Sequence, residues 1–173
     1  MQQSHDVEVK GLPRLEGRIR MEGMDRFMCA ANPFGQQAKD CLKLWSTWAK
    51  SEDPNYICTP VPLTFSRMDT SLANCLWDGQ HVRFVDLEYA GWTECVFDLA
   101  EQVEHDQSRG TPDAAWDGFI EQFDLTIEER KRYLAARRLM AFFWGMKFWP
   151  SREGEVSERF ATQVERIRLL CYD

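Results

Sequence analysis

Four consecutive segments in the C-terminal half of the chain carry apolar residues at helical spacing, and they constrain the fold more than any other feature. These segments span residues 93–106, 112–123, 126–149 and 157–171. The third begins with a capping pattern, Thr126 followed by Glu129, and ends before Pro150. Apolar residues at every third or fourth position place one face of each helix against a common core. The sequence therefore predicts a mostly α-helical domain.

A short β-hairpin is predicted upstream of these helices. Two β-prone runs, 75–77 and 82–85, are separated by a turn that contains Asp78-Gly79. Asp-Gly between such runs is a strong hairpin signal, because glycine takes the positive φ of a tight turn without a Cβ clash. Helices and hairpin together predict a mostly α fold of the α+β class, and one domain is expected for 173 residues.

The N-terminal part of the sequence is less regular. Residues 1–35 mix charged and apolar side chains with interrupting glycines, and we predict a strand or loop followed by a short helix near 21–31. A helix is predicted over 36–50 from its apolar spacing, and an extended segment over 56–65. We therefore divide the chain into a poorly defined segment, 1–35, and a lobe formed by 36–173.

Composition argues against several functional classes. The 21 Lys and Arg against 28 Asp and Glu give a net charge of −7 with no basic tract, so neither nucleic acid nor a membrane surface is expected as a partner. No apolar run approaches the roughly 18 residues of a membrane span, and the N-terminus lacks the apolar core of a signal peptide, so we expect a cytoplasmic protein. The six cysteines form no C-x-x-C pair, which favours buried, reduced thiols over a zinc site or a disulfide framework.

Polar residues that could hold a metal ion and a nucleotide flank the predicted hairpin. Asp69 and Asn74 precede it, and Asp86 follows its second strand. Because a tight turn brings the outer ends of a hairpin together, we expect Asn74 and Asp86 to be neighbours, with Asp69 within reach. Oxygen ligands of this kind suit Mg²⁺ carrying nucleotide phosphates, and a separate carboxylate can accept the proton of an attacking hydroxyl. Taken singly, Asp69 and Asn74 are more commonly turn residues that bond to the local backbone.

These residues also carry a resemblance to a known family. The strings that carry it are Arg67-Met68-Asp69-Thr70-Ser71-Leu72-Ala73-Asn74, Val85-Asp86-Leu87-Glu88-Tyr89-Ala90-Gly91 and Phe97-Asp98-Leu99-Ala100. Their order and spacing resemble those of the aminoglycoside phosphotransferase and choline kinase family, whose members have a protein-kinase-like fold. The family pattern is His-Gly-Asp followed five residues later by Asn, a hairpin, Ile-Asp-Phe/Trp-Glu-x-Ala-Gly and then Phe-Asp-Leu-Ala.

The resemblance implies an activity and a role for each matching residue. It implies phosphoryl transfer to a hydroxyl of a small molecule, with Mg²⁺ as cofactor and ATP as co-substrate. Asp69 would be the catalytic base, Asn74 and Asp86 the magnesium ligands, and Asp98 the anchor of the catalytic loop. The chain would then be the C-terminal lobe of the fold.

Within that lobe the resemblance implies a catalytic loop at 66–74, a hairpin at 75–86 and a helical part at 93–173. Arg67 and Glu88 are expected just outside the metal ligands. Arg67 and the following Met stand where the family has His and Gly, so the shape of the loop is expected to differ.

The nucleotide-binding lobe of the family has no room in the 68 residues before Asp69. The isolated chain is therefore expected to bind ATP with millimolar affinity or worse, because a kinase site needs both lobes. Two other functions stay open: a non-catalytic remnant that binds a small molecule or a partner chain, and a helical adaptor. Without a second lobe, apolar residues near Leu63, Phe65, Leu76 and Trp77 would be exposed. This exposure predicts a homodimer, or a separate N-terminal lobe that docks here.

The sequence does not name the phosphate acceptor, although the acidic balance suits a cation. Four tryptophans could contribute to a cage for an ammonium group, but aromatic residues at helical spacing are more often core. They are Trp92, Trp116, Trp144 and Trp149. The acidic residues Glu101, Glu104 and Asp106 are predicted to form a solvated helix face, and the basic residues at 130–132 and 137–138 are predicted to form ion pairs with helix neighbours.

Overall fold

The computed structural model describes residues 11–172. Its α-helices are α1 (Gly17–Ala30), α2 (Gly35–Trp48), α3 (Asp53–Cys58), α4 (Cys95–Glu104), α5 (Asp113–Ile120), α6 (Ile127–Lys147) and α7 (Glu158–Tyr172). Its strands are β1 (Arg14–Leu15), β2 (Thr64–Ser66), β3 (Cys75–Trp77), β4 (Val82–Phe84) and β5 (Gly91–Thr93). Short 3₁₀ turns follow at Leu72–Asn74, Asp106–Ser108 and Glu121–Phe123. The predicted fold class is confirmed: the molecule is mostly helical with few strands.

Helix α6 is the centre of the helical packing. It contacts α1, α3, α4 and α7, and its buried residues include Ala135, Ala136 and Ala141, whose small side chains let neighbouring helices approach closely. Phe142 on the same helix packs edge to face against Trp45 of α2, with ring centroids 5.1 Å apart. The capping box predicted at Thr126 and Glu129 is present, so the start of α6 follows from its sequence.

The short strand β5 joins the N-terminal segment to the rest of the molecule. It pairs in parallel with β1, with Arg14 opposite Trp92, and antiparallel with β2 on its other side. Gly91 lies so close to the preceding chain that a Cβ there would meet the Pro13 carbonyl oxygen at 2.5 Å. The irregular segment that precedes α1 thus packs into the same sheet as the motif region.

The predicted hairpin is confirmed as a separate two-stranded sheet. Strand β3 pairs antiparallel with β4, and Cys75 is opposite Phe84. Asp78 accepts hydrogen bonds from the backbone N–H groups of Gln80 and His81, at 3.0 and 2.8 Å. Gly79 has a φ of +99°, the positive value that glycine adopts easily in a tight turn.

The extended segment predicted over 56–65 is wrong in its first part. Residues Asp53–Cys58 form α3, and only Thr64–Ser66 is a strand. Pro54 stands in the first turn of α3, where its missing N–H costs no intrahelical hydrogen bond. The first residues of the predicted extended segment are therefore the end of a short helix.

The predicted burial of the cysteines is partly wrong. All six cysteines are free thiols, but Cys29, Cys58 and Cys95 are exposed, whereas Cys41 is buried. Among residues 11–172, no helix is long and apolar enough to cross a bilayer.

Glu104, at the end of α4, is fully buried, in contrast to the predicted solvated face. Three arginines surround its carboxylate: Arg137 at 3.0 Å, Arg166 at 2.7 Å and Arg109 at 3.1 Å. Arg166 also bonds to Asp113 at 2.7 Å. These ion pairs connect α4, α5, α6 and α7. The charged residues therefore join helices to one another instead of facing solvent.

The basic residues of α6 also form tertiary contacts. Arg132 bonds to Glu94 at 2.7 Å and to the carbonyl oxygen of Ile57 at 3.0 Å, and Arg138 bonds to Asp53 at 2.9 Å. Local ion pairing, as predicted for this run, is seen only for Lys131 with Glu128 among the residues described here. The arginines of α6 therefore mainly bond to residues outside their own helix.

Candidate active site

The loop between β2 and β3 is organised around the carboxylate of Asp69. One oxygen accepts from the backbone N–H of Ser71 at 2.9 Å, and the other accepts from Asn74 Nδ2 at 2.9 Å. The first of these bonds is the local turn contact expected for an aspartate in a loop. The second joins the two residues that are spaced five apart in the sequence motif. It also leaves the amide oxygen of Asn74 available as an acceptor or metal ligand.

The hairpin carries Asp86 back towards this loop. The backbone N–H of Val85 donates to the carbonyl oxygen of Asn74 at 3.0 Å, so the residue before Asp86 lies beside Asn74. Asp86 is exposed and has a left-handed φ of +60°, a conformation that aspartate tolerates better than most residues. The structure thus brings the neighbourhoods of Asp69, Asn74 and Asp86 together at the open end of the hairpin.

The two departures from the family pattern shape the start of the loop. Met68 has a φ of +54°, which is costly for a bulky side chain at the position where the family has glycine. Arg67 stacks over the ring of Phe84 at 4.5 Å and donates to Cys75 Sγ at 3.5 Å. Arg67 therefore fastens the loop to the hairpin. Glu88 is exposed and raises the pKa of the neighbouring Tyr89 hydroxyl by hydrogen bonding and by its charge.

Asp98 lies in the first turn of α4, directly behind the loop. Burial raises the pKa of its carboxyl, while the Ser66 hydroxyl and the positive charges of Arg20 and Arg67 oppose this rise. Ser66 in turn accepts from the backbone N–H of Met68 at 3.0 Å. Asp98 is therefore placed beside Ser66, the last residue of β2. Its Oδ1 is buried and has no partner among the described residues.

The same face of α4 carries further residues that the sequence analysis did not assign to the site. Burial raises the pKa of Glu101 to about 7, and the charges of Asp98 and Asp69 add to this effect. His105 packs edge to face on Trp144 of α6, with ring centroids 4.7 Å apart. Positions 98 and 101 lie on one face of α4 and His105 follows the helix directly, and this spacing was the signal in the sequence. Perturbed carboxyl groups near a loop of this kind are a common mark of a functional site.

The donor set fits a magnesium ion held with nucleotide phosphates. A carboxylate and a carboxamide oxygen are the hard ligands that Mg²⁺ prefers, and the ion normally completes its shell with phosphate and water. Within the described part of the chain, no group of three or more His, Cys, Asp or Glu side chains could hold a metal ion. The orphaned Oδ1 of Asp98 adds an unfilled acceptor next to the loop.

An open apolar cleft of about 620 Å³ adjoins the loop on the hairpin side. Phe65, Phe84, Leu87 and Phe119 contribute to its walls, and Asp98 lies within it. The apolar surface continues along the hairpin, where the side chain of Trp77 is 65% exposed. Further exposed apolar residues on this surface are Leu76, Val82, Val85 and Tyr89. The hairpin therefore exposes several large apolar side chains beside the cleft.

Comparison with known proteins identifies the fold. No protein-family model and no curated protein matches this sequence. Among solved structures, the chain is similar to a choline/ethanolamine kinase family protein from Mesorhizobium loti, with a TM-score of 0.60 and 15% sequence identity. The match covers 92% of this chain and 56% of that one, so the chain spans about half the length of its structural neighbour. The molecule therefore has the fold of a kinase-like C-terminal lobe.

Proposed function

We propose that this chain is the catalytic and acceptor-binding lobe of an ATP- and Mg²⁺-dependent phosphotransferase that acts on a hydroxyl of a small molecule. The observation that carries the proposal is the hydrogen bond from Asn74 to Asp69, with the hairpin returning Asp86 beside Asn74. It is supported by the kinase-like fold and by the order of the motifs along the chain.

Each of these residues has a distinct task in the proposed reaction. Asp69 accepts the proton of the attacking hydroxyl and orients its oxygen towards the γ-phosphate of ATP. Asn74, through its amide oxygen, and Asp86, through its carboxylate, hold Mg²⁺. When bound, that ion neutralises the charge of the phosphates. Asp98 fixes the start of the loop through Ser66, and Arg67 fixes its other side against Phe84.

The surroundings of Asp69 favour a cationic acceptor. In addition to burial, the charges of Asp98 and Asp69 both raise the pKa of Glu101, while the charges of Arg20 and Lys147 oppose this rise. The ring of Trp144 lies beside His105, which follows α4 directly, and an aromatic face attracts an ammonium group. We therefore propose a small amino alcohol as the class of acceptor.

Thermal unfolding in the presence of Mg²⁺ and ATP tests the nucleotide site. With a dissociation constant of about 1 mM, 10 mM Mg-ATP stabilises the folded state by about 1.4 kcal/mol, which corresponds to a rise of roughly 3–5 °C in Tm. Asp86→Asn is expected to remove most of this rise, because asparagine tolerates the left-handed backbone but lacks the charge. Asp117→Asn, at an exposed position of α5, is the matched control and should keep the rise.

A non-catalytic binding module is the second candidate, and the exposed apolar hairpin favours it. Such a module would show no rise in Tm with Mg-ATP in the wild type. The phosphotransferase proposal is contradicted by that result, or by an equal rise in Asp86→Asn.

A further inference from the structure

The catalytic loop is tied to a short helical turn at the end of α4. Gln107 lies in the 3₁₀ turn Asp106–Ser108, and its Oε1 accepts from the hydroxyl of Ser71 and from the backbone N–H of Leu72, both at 3.2 Å. Ser71 and Leu72 stand between the proposed base Asp69 and the proposed metal ligand Asn74. Gln107 thus contacts the middle of the segment whose two ends form the site.

Gln107 is itself held by His105. The backbone N–H of Gln107 donates to His105 Nδ1 at 3.1 Å, so His105 is the cap of the turn. An imidazole nitrogen accepts a hydrogen bond only when it carries no proton. The bond therefore assigns the ring proton to Nε2 and requires a neutral His105. The ring is buried against Trp144, which limits its freedom to turn away.

We propose that Gln107 is a positioning residue for the catalytic loop, and that its hydrogen bonds with Ser71 and Leu72 require a neutral His105. The connection runs from the imidazole to the turn, from the turn to Gln107, and from Gln107 to the segment between Asp69 and Asn74. Its consequence for catalysis rests on the proposed function. The contact itself is a property of the fold and can be measured without turnover.

The charges around His105 set the direction of its response to pH. Asp69 faces it from the catalytic loop, Asp106 and Arg109 face it from the turn, and α6 presents the uncharged ring of Trp144. Glu101 precedes it by one turn of α4. Burial lowers the pKa of His105, Asp69 and Asp106 oppose this shift, and Arg109 adds to it. Because the folded state disfavours the proton, the contact is intact above the ordinary histidine pKa near 6.5 and is lost as the pH falls through the lower pKa of the folded state.

Amide exchange measured by NMR on the full chain at pH 7.5 tests the role of Gln107. Gln107→Ala should speed exchange of the Leu72 N–H roughly fivefold, the effect of losing one hydrogen bond. Amide exchange in α6 should not change. Gln122→Ala, at an exposed position after α5, is the matched control and should leave Leu72 unchanged. Equal exchange of Leu72 in Gln107→Ala and the wild type would overturn the proposal.

The dependence on His105 has its own test, which also serves if Gln107→Ala fails to fold. In Glu101→Gln, which removes a carboxyl whose pKa is about 7, the Ser71 and Leu72 amide shifts should follow one titration between pH 8 and 5. When His105→Asn is added to this variant the titration should disappear, because asparagine can accept the Gln107 N–H but does not bind a proton in this range. The same titration in the double variant would refute the proposed link. If the chain turns over, Gln107→Ala should lower kcat and leave the KM for the acceptor unchanged.

These results are distinguishable from those that bear on the proposed function. Absence of Mg-ATP binding would leave the Leu72 measurements unaffected. Conversely, a wild-type rise in Tm with Mg-ATP would stand even if Leu72 did not respond to Gln107→Ala.

Discussion

Glu104→Gln is expected to destabilise the folded chain by about 3–5 kcal/mol, the usual cost of breaking a buried ion pair by removing one partner. The glutamate is fully buried between the guanidinium groups of Arg137, Arg166 and Arg109. A neutral amide in its place would leave these arginines with a deficit of negative charge in the core. Urea unfolding measures the loss, and Glu121→Gln, an exposed control, should change stability by less than about 0.5 kcal/mol.

The same carboxylate gives the stability of the fold a dependence on pH. Burial alone would raise the pKa of Glu104, but hydrogen bonds and charge from Arg166, together with Arg137 and Arg109, hold it below the ordinary value. A carboxyl whose folded pKa is lowered stabilises the fold above its unfolded pKa of about 4.3, and this contribution is lost as the pH falls through the folded value. The acid limb of the stability curve should therefore be shallower in Glu104→Gln. An unchanged limb would contradict the assigned role of the ion cluster.

Asp69→Asn is expected to reduce phosphoryl transfer by 10²–10⁴-fold, the contribution typical of a general base. The substitution keeps an oxygen for the Ser71 N–H, so the loop should retain its turn, whereas the proton acceptor is lost. If the chain turns over on its own, release of ADP at 10 mM Mg-ATP, with a panel of small amino alcohols as acceptors, measures the effect. Asp117→Asn, at an exposed position of α5, should turn over as the wild type does. Equal rates for Asp69→Asn and the wild type would exclude Asp69 as the base.

The helices and the hairpin were predictable because their signals are local. The Thr126 and Glu129 capping box and the Asp78-Gly79 turn both act over a few residues, and both are present in the structure. Helix α3 was not predicted, and Pro54 stands in its first turn. A proline excludes an interior helical position but suits the first turn, and the choice between these depends on packing that the sequence does not display.

The charged residues of α4 and α6 could not be placed from spacing alone. Glu104 and Arg137 are charged residues of the kind that usually face solvent, yet both are buried and form an ion pair with each other. The two residues lie 33 positions apart in sequence, so no local pattern predicts the contact. A buried charge is stable only when such a partner exists, and the tertiary fold supplies it.

The motif residues at the site were visible in the sequence, but the residues around them were not. Asp69 and Asn74 stand out because they lie five apart in a recognisable order. Gln107 is an ordinary glutamine in a charged stretch, and only the folded loop brings its side chain to Ser71 and Leu72.

Paramagnetic broadening by Mn²⁺ tests most directly whether these motif residues form a metal–nucleotide site. Mn²⁺ takes the same oxygen ligands as Mg²⁺, and trace amounts report sites of millimolar affinity. With ATP present, we expect the amide resonances of 69–74 and 86–88 to broaden selectively, and Asp86→Asn to abolish the effect. Broadening centred on another acidic region, or broadening at 69–74 that persists in Asp86→Asn, would contradict the account.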